Sequence, residues 1–600
     1  MTEISAPPST RTLHLIKGVA NPFGAKDSEL YILQGDVTSG PVQNITLASG
    51  VHLPAGRTAP TQPPFRLKVF HFNDLHGHLV QFGPAGFRPV FSRMVWKIRE
   101  ARRCSDEDPN SAVLALSGGD DLIGSMFDEL VGEDKESYAV HAGYHLYSHA
   151  GVDAGVLGNH DLDIGPSLLA HAIRTDASFP LLSANIVDPD RLSAVCYPAV
   201  ILVVKGIRVG VIGLTTPAEI VRRRGAEFEV TDPVQVVHNI LPVLKPYCDI
   251  LILLTHLGHN ISSSSAVMGS AGDVELARSL PRGAVQLIIG GHTHNVLNEK
   301  GLSFENIVND IPIVQAGAMG RFIGEVNITI RPPAAVTHTR LWFTTDLPVD
   351  EQFEQDEIIP LIEKVKPFLN RDLGEAASEA DLSTEAVRNS FASGESALAN
   401  FIADGIAARC RMLGHETDFA MIDSSILRAG LEPGSRLRYG DWFNIMPFAD
   451  TIRFCRLTGQ QLKDLLEDNA KRVDLPNEPN TERGFLHFSR EVRYQIHPGQ
   501  HRMQNHAAET TLNNKPLDEQ LQHVFTVATT NFVREMAAPW ERSMAAIEEY
   551  APVSLRKMGC QETDLFLSNQ MVAYIESQGG VTHAGGAKRD GRLVVLHPLL

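Results

Sequence analysis

Short apolar runs recur between residues 66 and 335, and each run ends in a polar, often glycine-rich loop. The six clearest runs lie at 67–70, 112–116, 154–157, 209–214, 250–254 and 285–289. A strand that is apolar at nearly every position is buried on both faces, and helix-compatible stretches lie between these runs. The pattern therefore predicts a helix-covered α/β sheet. In such sheets the loops at the carboxyl ends of the strands carry the functional site.

The flanking segments have different patterns. Residues 1–65 contain two short predicted strands, 29–33 and 45–47, and end in a proline-rich connector, so we interpret them as a small β-rich extension of unknown role. Residues 336–374 form a predicted linker, in which 351–370 are polar and helix-compatible. A second mixed α/β domain is predicted over 375–600, with a helix near 395–411 and strands near 451–457 and 525–529.

Composition narrows the class of protein. The 600 residues are 43% hydrophobic and 21% charged, which is typical of globular domains. A net charge of −18 disfavours nucleic-acid polymers and anionic membranes as partners. No apolar run approaches the roughly 18 residues of a membrane helix. The six cysteines are too scattered for a disulfide framework, and none forms a C-x-x-C pair.

The start of the chain bears on where the protein works. No basic segment followed by an apolar stretch is present there, which favours the cytoplasm unless the given start lacks an export signal. The sequence does not determine the oligomeric state, and a monomer is the default expectation.

Five of the loops that follow apolar runs carry metal-ligand side chains with oxygen and nitrogen donors and no sulfur. They contain Asp74-Leu-His76, Gly119-Asp120, Gly158-Asn159-His160-Asp161, Thr255-His256 and Gly290-Gly-His-Thr-His294. A lone D-x-H or H-x-H is usually only a polar surface feature. Five such pieces, each after an apolar strand, indicate a site for two divalent ions, with one carboxylate as a bridge. The donor types suit Zn, Mn, Fe or Co equally well.

In this order, the pieces D-x-H, G-D, G-N-H-[D/E], H and G-H-x-H resemble the calcineurin-like metallophosphatase superfamily. The segment GNHDLDIG is similar to the corresponding motif of the 5′-nucleotidase branch, in which a second Asp stands three residues after the His. The resemblance continues at 394–404, 433–467, 527–532 and 590–596, which are similar to the C-terminal domain of that branch. It implies a four-layer metallophosphatase β-sandwich flanked by helices, followed by a 5′-nucleotidase-like substrate-recognition domain.

The resemblance also implies roles for individual residues. Asp74, His76 and His294 hold one metal together with Asp120, which bridges to the second metal. Asn159, His256 and His292 hold that second metal, and a metal-bound water attacks phosphorus. His160 faces the phosphoryl group as a charged imidazole, and Asp163 orients it. The alternative for Asp163 is the N-cap of a helix that begins near Pro166.

The predicted substrate residues depart from the family pattern. The family strip N-x-G-x-x-R is Asp423-Ser-Ser-Ile-Leu-Arg428 here. The resemblance implies that Arg428 binds the phosphate of the substrate. Asp423 can only accept hydrogen bonds, so it favours a base whose edge carries donors, such as guanine. Phe448 matches one wall of the base-stacking clamp, and Trp540 stands at the spacing of the other wall, with a core residue of a remodelled loop as its alternative. The family's second arginine and its glycine-rich loop have no counterpart.

We therefore expect a dinuclear metal-dependent phosphoric ester hydrolase that acts on nucleotides, with a small-molecule phosphate ester as its partner. A second hypothesis assumes the same chemistry with a cyclic nucleotide or a sugar phosphate as the substrate, because the second arginine and the glycine-rich loop are missing. A third, from another class, is a catalytically silent protein that binds metal and ligand. The complete set of predicted metal ligands argues against that hypothesis.

Overall fold

The computed structural model describes residues 11–56, 64–83, 86–122, 125–132, 134–188, 190–217, 228–260, 271–331, 334–388, 394–446, 451–473, 475, 485–530 and 560–596. The chain divides into two compact units, Met1–Val365 and Lys366–Leu600. The predicted domain boundaries at 65, 335 and 374 stay predictions. Within the described ranges, every helix is too short or too polar to traverse a lipid bilayer.

Two large sheets form the first unit. In spatial order, the nine-stranded sheet consists of Ile307–Val308, Ile311–Val314, Leu287–Ile289, Ile250–His256, Ile207–Thr215, Ala199–Val204, Ser28–Gln34, Thr12–Lys17 and Asn44–Leu47. The seven-stranded sheet consists of Cys196–Tyr197, Leu181–Leu182, Ala154–Val156, Ser111–Ser117, Phe65–Phe72, Phe322–Ile330 and Ala335–Phe343. Two small pairs complete the strands, Ile186–Val187 with Glu229–Val230 and Val80–Gly83 with Gly86–Pro89. Each of the six predicted apolar runs overlaps a strand, three in each large sheet.

The predicted layered α/β architecture is confirmed. Apolar side chains from both sheets, among them Leu67, Leu114 and Ile252, share one buried cluster, which is the core of the sandwich. A second cluster covers the outer face of the nine-stranded sheet and includes residues of the helices Pro233–Leu244 and Asp273–Ser279. The helix Phe91–Asp106 packs against Ser111–Ser117 of the other sheet. Among the described residues, the remaining α-helices before the linker are Ala142–Ala150 and Pro166–Asp176.

The N-terminal strands are part of the nine-stranded sheet. Ser28–Gln34 pairs antiparallel with Ala199–Val204, and Thr12–Lys17 lies between Ser28–Gln34 and Asn44–Leu47. The sequence predicts strands in this segment but not their partner, because pairing across more than 150 residues leaves no local signal. The described part of the segment is therefore integral to the first unit.

The predicted linker helix is present. The chain is α-helical over Glu351–Phe353 and Ile359–Leu369, and a π-helical turn, Glu354–Ile358, lies between these stretches. Such turns are rare and often mark functional positions.

The described part of the second unit contains three sheets and five helices. A five-stranded sheet has the order Leu486–Phe488, Phe419–Asp423, Val524–Thr530, Thr451–Thr458, Cys560–Phe566. A four-stranded sheet has the order Lys515–Pro516, His506–Leu512, Val492–His497, Leu593–Val595, and a three-stranded sheet the order Arg436–Arg438, Asp372–Ala376, Gly580–Val581. The helices are Thr384–Arg388, Ala397–Met412, Tyr439–Ile445, Gly459–Ala470 and Leu567–Gln578.

One disulfide links the edge strand of the five-stranded sheet to its neighbour. Cys455 and Cys560 are opposite each other in the antiparallel register, with Cα atoms 4.2 Å apart, and their sulfurs are bonded. The other four cysteines are free thiols. The sequence predicts no disulfide framework, and it gives no sign of this single bond, because the partners are 105 residues apart.

His141 begins the helix Ala142–Ala150 and makes folding sensitive to acid. Its Nδ1 accepts the backbone N–H of Tyr144 at 3.1 Å, and burial lowers the pKa of this imidazole to about 3. The unfolded chain binds the proton with an ordinary pKa near 6.5, so this contribution to stability is complete above pH 6.5 and is lost as the pH falls towards 3.

We expect His141→Asn to make the stability less dependent on pH. Asparagine can still cap the helix but does not titrate. Between pH 7.5 and 5.5 the wild type should lose about 1.4 kcal/mol more unfolding free energy than the variant. Urea unfolding of both proteins at the two pH values measures this difference, and equal losses would exclude His141 as the acid-sensitive group.

Candidate metal centre

The strand ends bring all seven predicted ligands together. Asp74 and His76 follow Phe65–Phe72, Asp120 follows Ser111–Ser117, and Asn159 follows Ala154–Val156, three strands that are parallel and adjacent in one sheet. His256 ends a strand of the other sheet, and His292 and His294 follow the strand parallel to it. Carboxyl ends of parallel neighbours lie at one edge of a sheet, so the five loops meet there.

The ligand atoms fall into two groups. One contains Asp74, His76 and His294, and the other contains Asp120, His256 and His292, with the donor atoms of each group within 4.8 Å of one another. In the first group, the Nε2 atom of His294 lies 3.3 Å from Asp74 Oδ1 and 3.2 Å from His76 Nε2. This is the division that the resemblance implies for two ions.

Asn159 contacts the second group, and Asp120 contacts both groups. Asn159 Oδ1 lies 3.0 Å from His292 Nδ1. The Oδ2 atom of Asp120 lies 3.0 Å from His256 Nε2, and 3.9 Å from His76 Nε2 of the other group. Asp120 therefore holds the position of a bridging carboxylate.

The donor set fits a metal because of the position of the proton on the His256 ring. Its Nδ1 lies 2.7 Å from the carbonyl oxygen of Gly118, which can only accept a hydrogen bond, so Nδ1 carries the proton. In the neutral ring, Nε2 then presents a lone pair towards the carboxylate of Asp120. This imidazole is fully buried, and two facing lone pairs in such a place require a cation at that position. A divalent ion satisfies this requirement, as a proton would.

The charges in the site depend strongly on one another. Burial alone would raise the pKa of Asp120, but His256 and the other nearby imidazoles hold it well below its ordinary value. Burial opposes the charge of His256, yet Asp120 and Asp74 raise its pKa to about 10. Burial lowers the pKa of His76 to about 3. The buried carboxylates thus strongly favour a cation beside them.

The backbone is strained around the ligands. Five of the seven have positive φ angles, which cost side-chain-bearing residues energy: Asp74 (52°), His76 (46°), Asp120 (54°), His292 (76°) and His294 (54°). Hydrogen bonds between loops hold these conformations. The N–H of His292 donates to both carboxylate oxygens of Asp74, at 3.0 Å each, and the N–H of His160 donates to Asp120 Oδ1 at 2.9 Å. Gly158 is required here, because a Cβ atom would lie 2.1 Å from that oxygen.

His160 and Asp163 form a pair beside the ligands. The Nδ1 atom of His160 lies 2.7 Å from Asp163 Oδ2, and Asp163 is buried while the imidazole is about one quarter exposed. The helix that follows has Gly165 as its N-cap, so the alternative of Asp163 as the N-cap is wrong. The ring of His160 also lies 5.3 Å from that of His76, between centroids.

Two supporting residues received no role from the sequence. Asp161 accepts the backbone N–H groups of Gly158 (2.8 Å) and Asp120 (3.1 Å) on one oxygen and that of Asp121 (3.0 Å) on the other. The Asn73 amide donates to Asp74 Oδ2 at 2.6 Å. The supporting role of Asp161 could have been predicted from the sequence. A buried carboxylate in a glycine-rich loop needs hydrogen-bond donors, and the nearby backbone N–H groups supply them.

The predicted substrate residues are only partly described. Asp423 is buried at the end of Phe419–Asp423, and Arg428 is exposed a few residues further on. Phe448 and Trp540 lie outside the described residues. Their roles in substrate binding stay predictions.

Comparisons with known proteins agree with this geometry. The family model for calcineurin-like phosphoesterases matches residues 67–296, and that for the 5′-nucleotidase C-terminal domain matches 373–538. The trifunctional nucleotide phosphoesterase protein YfkN of Bacillus subtilis is 26% identical over 446 residues, which are 68% of this chain but only 28% of that longer protein. The 5′-nucleotidase of Vibrio cholerae is 26% identical over 460 residues, 70% of this chain and 79% of the relative.

A solved structure also matches the fold. The 5′-nucleotidase precursor from Thermus thermophilus has a TM-score of 0.52 and 23% identity, and the match covers 89% of this chain and 100% of the other. Residues 67–296 are thus similar to the calcineurin-like phosphoesterases, which indicates a metal-dependent phosphohydrolase. Residues 373–538 are similar to the 5′-nucleotidase C-terminal domain, as the resemblance predicts.

Proposed function

We propose that the protein hydrolyses nucleotides with two divalent ions, held by the seven residues of the candidate metal centre. The observation that carries this proposal is the division of these ligands into two groups, with Asp120 in contact with both and the His160–Asp163 pair beside them. When bound, the ions would activate a water molecule for attack on phosphorus and neutralise phosphoryl charge.

The chain's own residues supply the remaining steps. Asp163 accepts the Nδ1 proton of His160, which directs Nε2 of that ring away from the carboxylate and makes it available to a phosphoryl or leaving oxygen. The partial exposure of the imidazole allows a substrate to reach it. Asp161 and Asn73 hold the ligand loops in the geometry that the ions require.

The nucleotide specificity rests on the second domain, residues 375–600 in our proposal. The relatives from Bacillus subtilis and Vibrio cholerae carry names that specify nucleotide substrates. Arg428 would bind phosphate, and Asp423, Phe448 and Trp540 would bind the base. The sugar-phosphate and cyclic-nucleotide alternatives remain, because the missing arginine and glycine-rich loop weaken the nucleotide match.

Phosphate release from a substrate panel tests the function. The protein, supplied with Mn²⁺, is assayed with nucleoside mono-, di- and cyclic phosphates, sugar phosphates and an aryl phosphate. We expect the highest kcat/KM for a nucleotide. A preference for sugar phosphates would support the hypothesis of a different phosphate ester as substrate. No phosphate release from any ester would support the hypothesis of a catalytically silent binding protein. An Asp120→Ala preparation, purified in parallel, controls for contaminating phosphatases.

A second substitution tests the base-binding role. We expect Phe448→Ala to lower kcat/KM for nucleotides by a factor that corresponds to about 1–3 kcal/mol of lost stacking, with little effect on the aryl phosphate. Phe443→Ala is the matched control, because Phe443 is a half-buried phenyl ring on the nearby helix Tyr439–Ile445. Equal losses of both substrates in Phe448→Ala would indicate that the ring only packs the core.

A further inference from the structure

A second cluster of metal-ligand side chains lies in the first unit and shares no residue with the metal centre. His145 and His149 on the helix Ala142–Ala150 meet Glu357 from the π-helical turn Glu354–Ile358. His145 Nε2 lies 3.1 Å from Glu357 Oε2, and His149 Nδ1 lies 3.8 Å from the same oxygen. The three donor atoms lie within 4.8 Å of one another, and no function assigned above uses them.

Local structure explains why the three side chains converge. Residues four apart on a helix project from the same face, so the two imidazoles are neighbours, with ring centroids 4.4 Å apart. The π-helical turn shifts the residues after it around the helix axis relative to a regular helix, and Glu357 lies in that turn. All three side chains are between one fifth and about one third exposed, so an ion from solvent can reach them.

We propose that His145, His149 and Glu357 bind a divalent transition-metal ion, with water completing its coordination. Two imidazoles and one carboxylate form a donor set that suits Zn²⁺, and also Co²⁺ or Ni²⁺. Donor atoms around a tetrahedral zinc ion lie about 3.4 Å apart, given metal–ligand bonds of about 2.1 Å. The 3.1 Å between His145 Nε2 and Glu357 Oε2 is close to this value. His149 Nδ1 lies 2.9 Å from the carbonyl oxygen of His145, so its ring must rotate out of that hydrogen bond to bind the ion.

The electrostatics of the cluster favour an ion over a simple ion pair. Burial and the neighbouring His149 lower the pKa of His145 in spite of the adjacent carboxylate, which favours the neutral ring that can bind a metal. Arg99 donates to the carbonyl oxygen of His149 at 3.4 Å and is paired with Asp350 at 3.0 Å. Its charge is therefore already balanced.

The expected role of this ion is structural. It would join the helix Ala142–Ala150 to a segment more than 200 residues later in the chain. An ion that binds only the folded protein raises its stability in proportion to the logarithm of the free ion concentration, once that exceeds the dissociation constant.

Zinc counting tests the site. Tag-free protein with a loaded metal centre is dialysed against buffered free Zn²⁺, side by side with His149→Ala and Glu357→Gln, and zinc per chain is measured by elemental analysis. We expect one equivalent less in each variant, with unchanged phosphatase activity. His238→Ala, an exposed histidine on the helix Pro233–Leu244, is the matched control and should retain all the zinc.

Two further measurements distinguish a ligand from a supporting residue. In His149→Ala the dissociation constant for the extra zinc should rise by more than the roughly 10–100-fold that follows loss of a supporting group. Added Zn²⁺ should raise the Tm of the wild type and of His238→Ala, but not that of the two cluster variants. Equal zinc content in wild type and Glu357→Gln, or loss of zinc in the control as well, would overturn the proposal.

Discussion

Replacing Asp120 by alanine is expected to abolish both metal retention and phosphohydrolase turnover. One oxygen of this carboxylate lies 3.0 Å from His256 of one ligand group and 3.9 Å from His76 of the other. Without it, two neighbouring cations would have no shared anion between them, and the buried His256 would lose its closest carboxylate. Elemental analysis after dialysis and phosphate release measure the two effects.

Asp121→Asn is the matched control. Asp121 is the next residue and is equally buried, and its Oδ1 accepts the hydroxyl of Ser117 at 2.8 Å. Burial and the nearby Asp161 raise its pKa well above the ordinary value, which favours the uncharged form, so an amide should replace it with little loss. Near-normal metal content in Asp120→Ala would contradict the bridging role, and loss of metal in both variants would indicate that the loop is merely fragile.

Several parts of the fold could be predicted because they depend on local sequence. A buried strand needs an apolar residue at nearly every position, so runs such as 250–254 indicate both the strand and the point where it ends. The ligands follow directly after such ends. The topology of parallel strands then brings them together without any further information from the sequence.

The features that could not be predicted depend on long-range register. The disulfide between Cys455 and Cys560 requires two strands to align residue for residue. The cluster of His145, His149 and Glu357 requires one helix to meet a turn from a distant segment. The spacing of the two histidines can be seen in the sequence. The sequence does not show that Glu357, more than 200 residues later, lies beside them.

The strained backbone at the metal centre is a further case. Asp74 and His76 have left-handed conformations that their residue types disfavour, and no pattern in the sequence predicts such angles. Hydrogen bonds from other loops impose them, such as that from the N–H of Asp74 to the carbonyl oxygen of Gly119, at 2.9 Å. The sequence predicts which residues are ligands, and the fold determines the backbone geometry that orients them.

Replacing His160 by alanine is expected to leave the metals in place and to lower kcat by about 10²–10⁴-fold, the usual effect of one positioned electrostatic or proton-transfer group. Asp163→Asn should have a smaller effect, because an amide can still accept the Nδ1 proton at the observed 2.7 Å but cannot stabilise a charged imidazole. His171→Ala, a half-buried histidine on the helix Pro166–Asp176, is the control and should change neither quantity.

Metal analysis and steady-state kinetics on the same preparations separate the possible roles of His160. Loss of metal in His160→Ala would make the imidazole a ligand. Unchanged kcat with full metal content would make the pair with Asp163 a purely structural contact. The proposed role requires both a large fall in kcat with the metals retained and a smaller fall in Asp163→Asn, since the carboxylate acts on the substrate only through the ring that it orients.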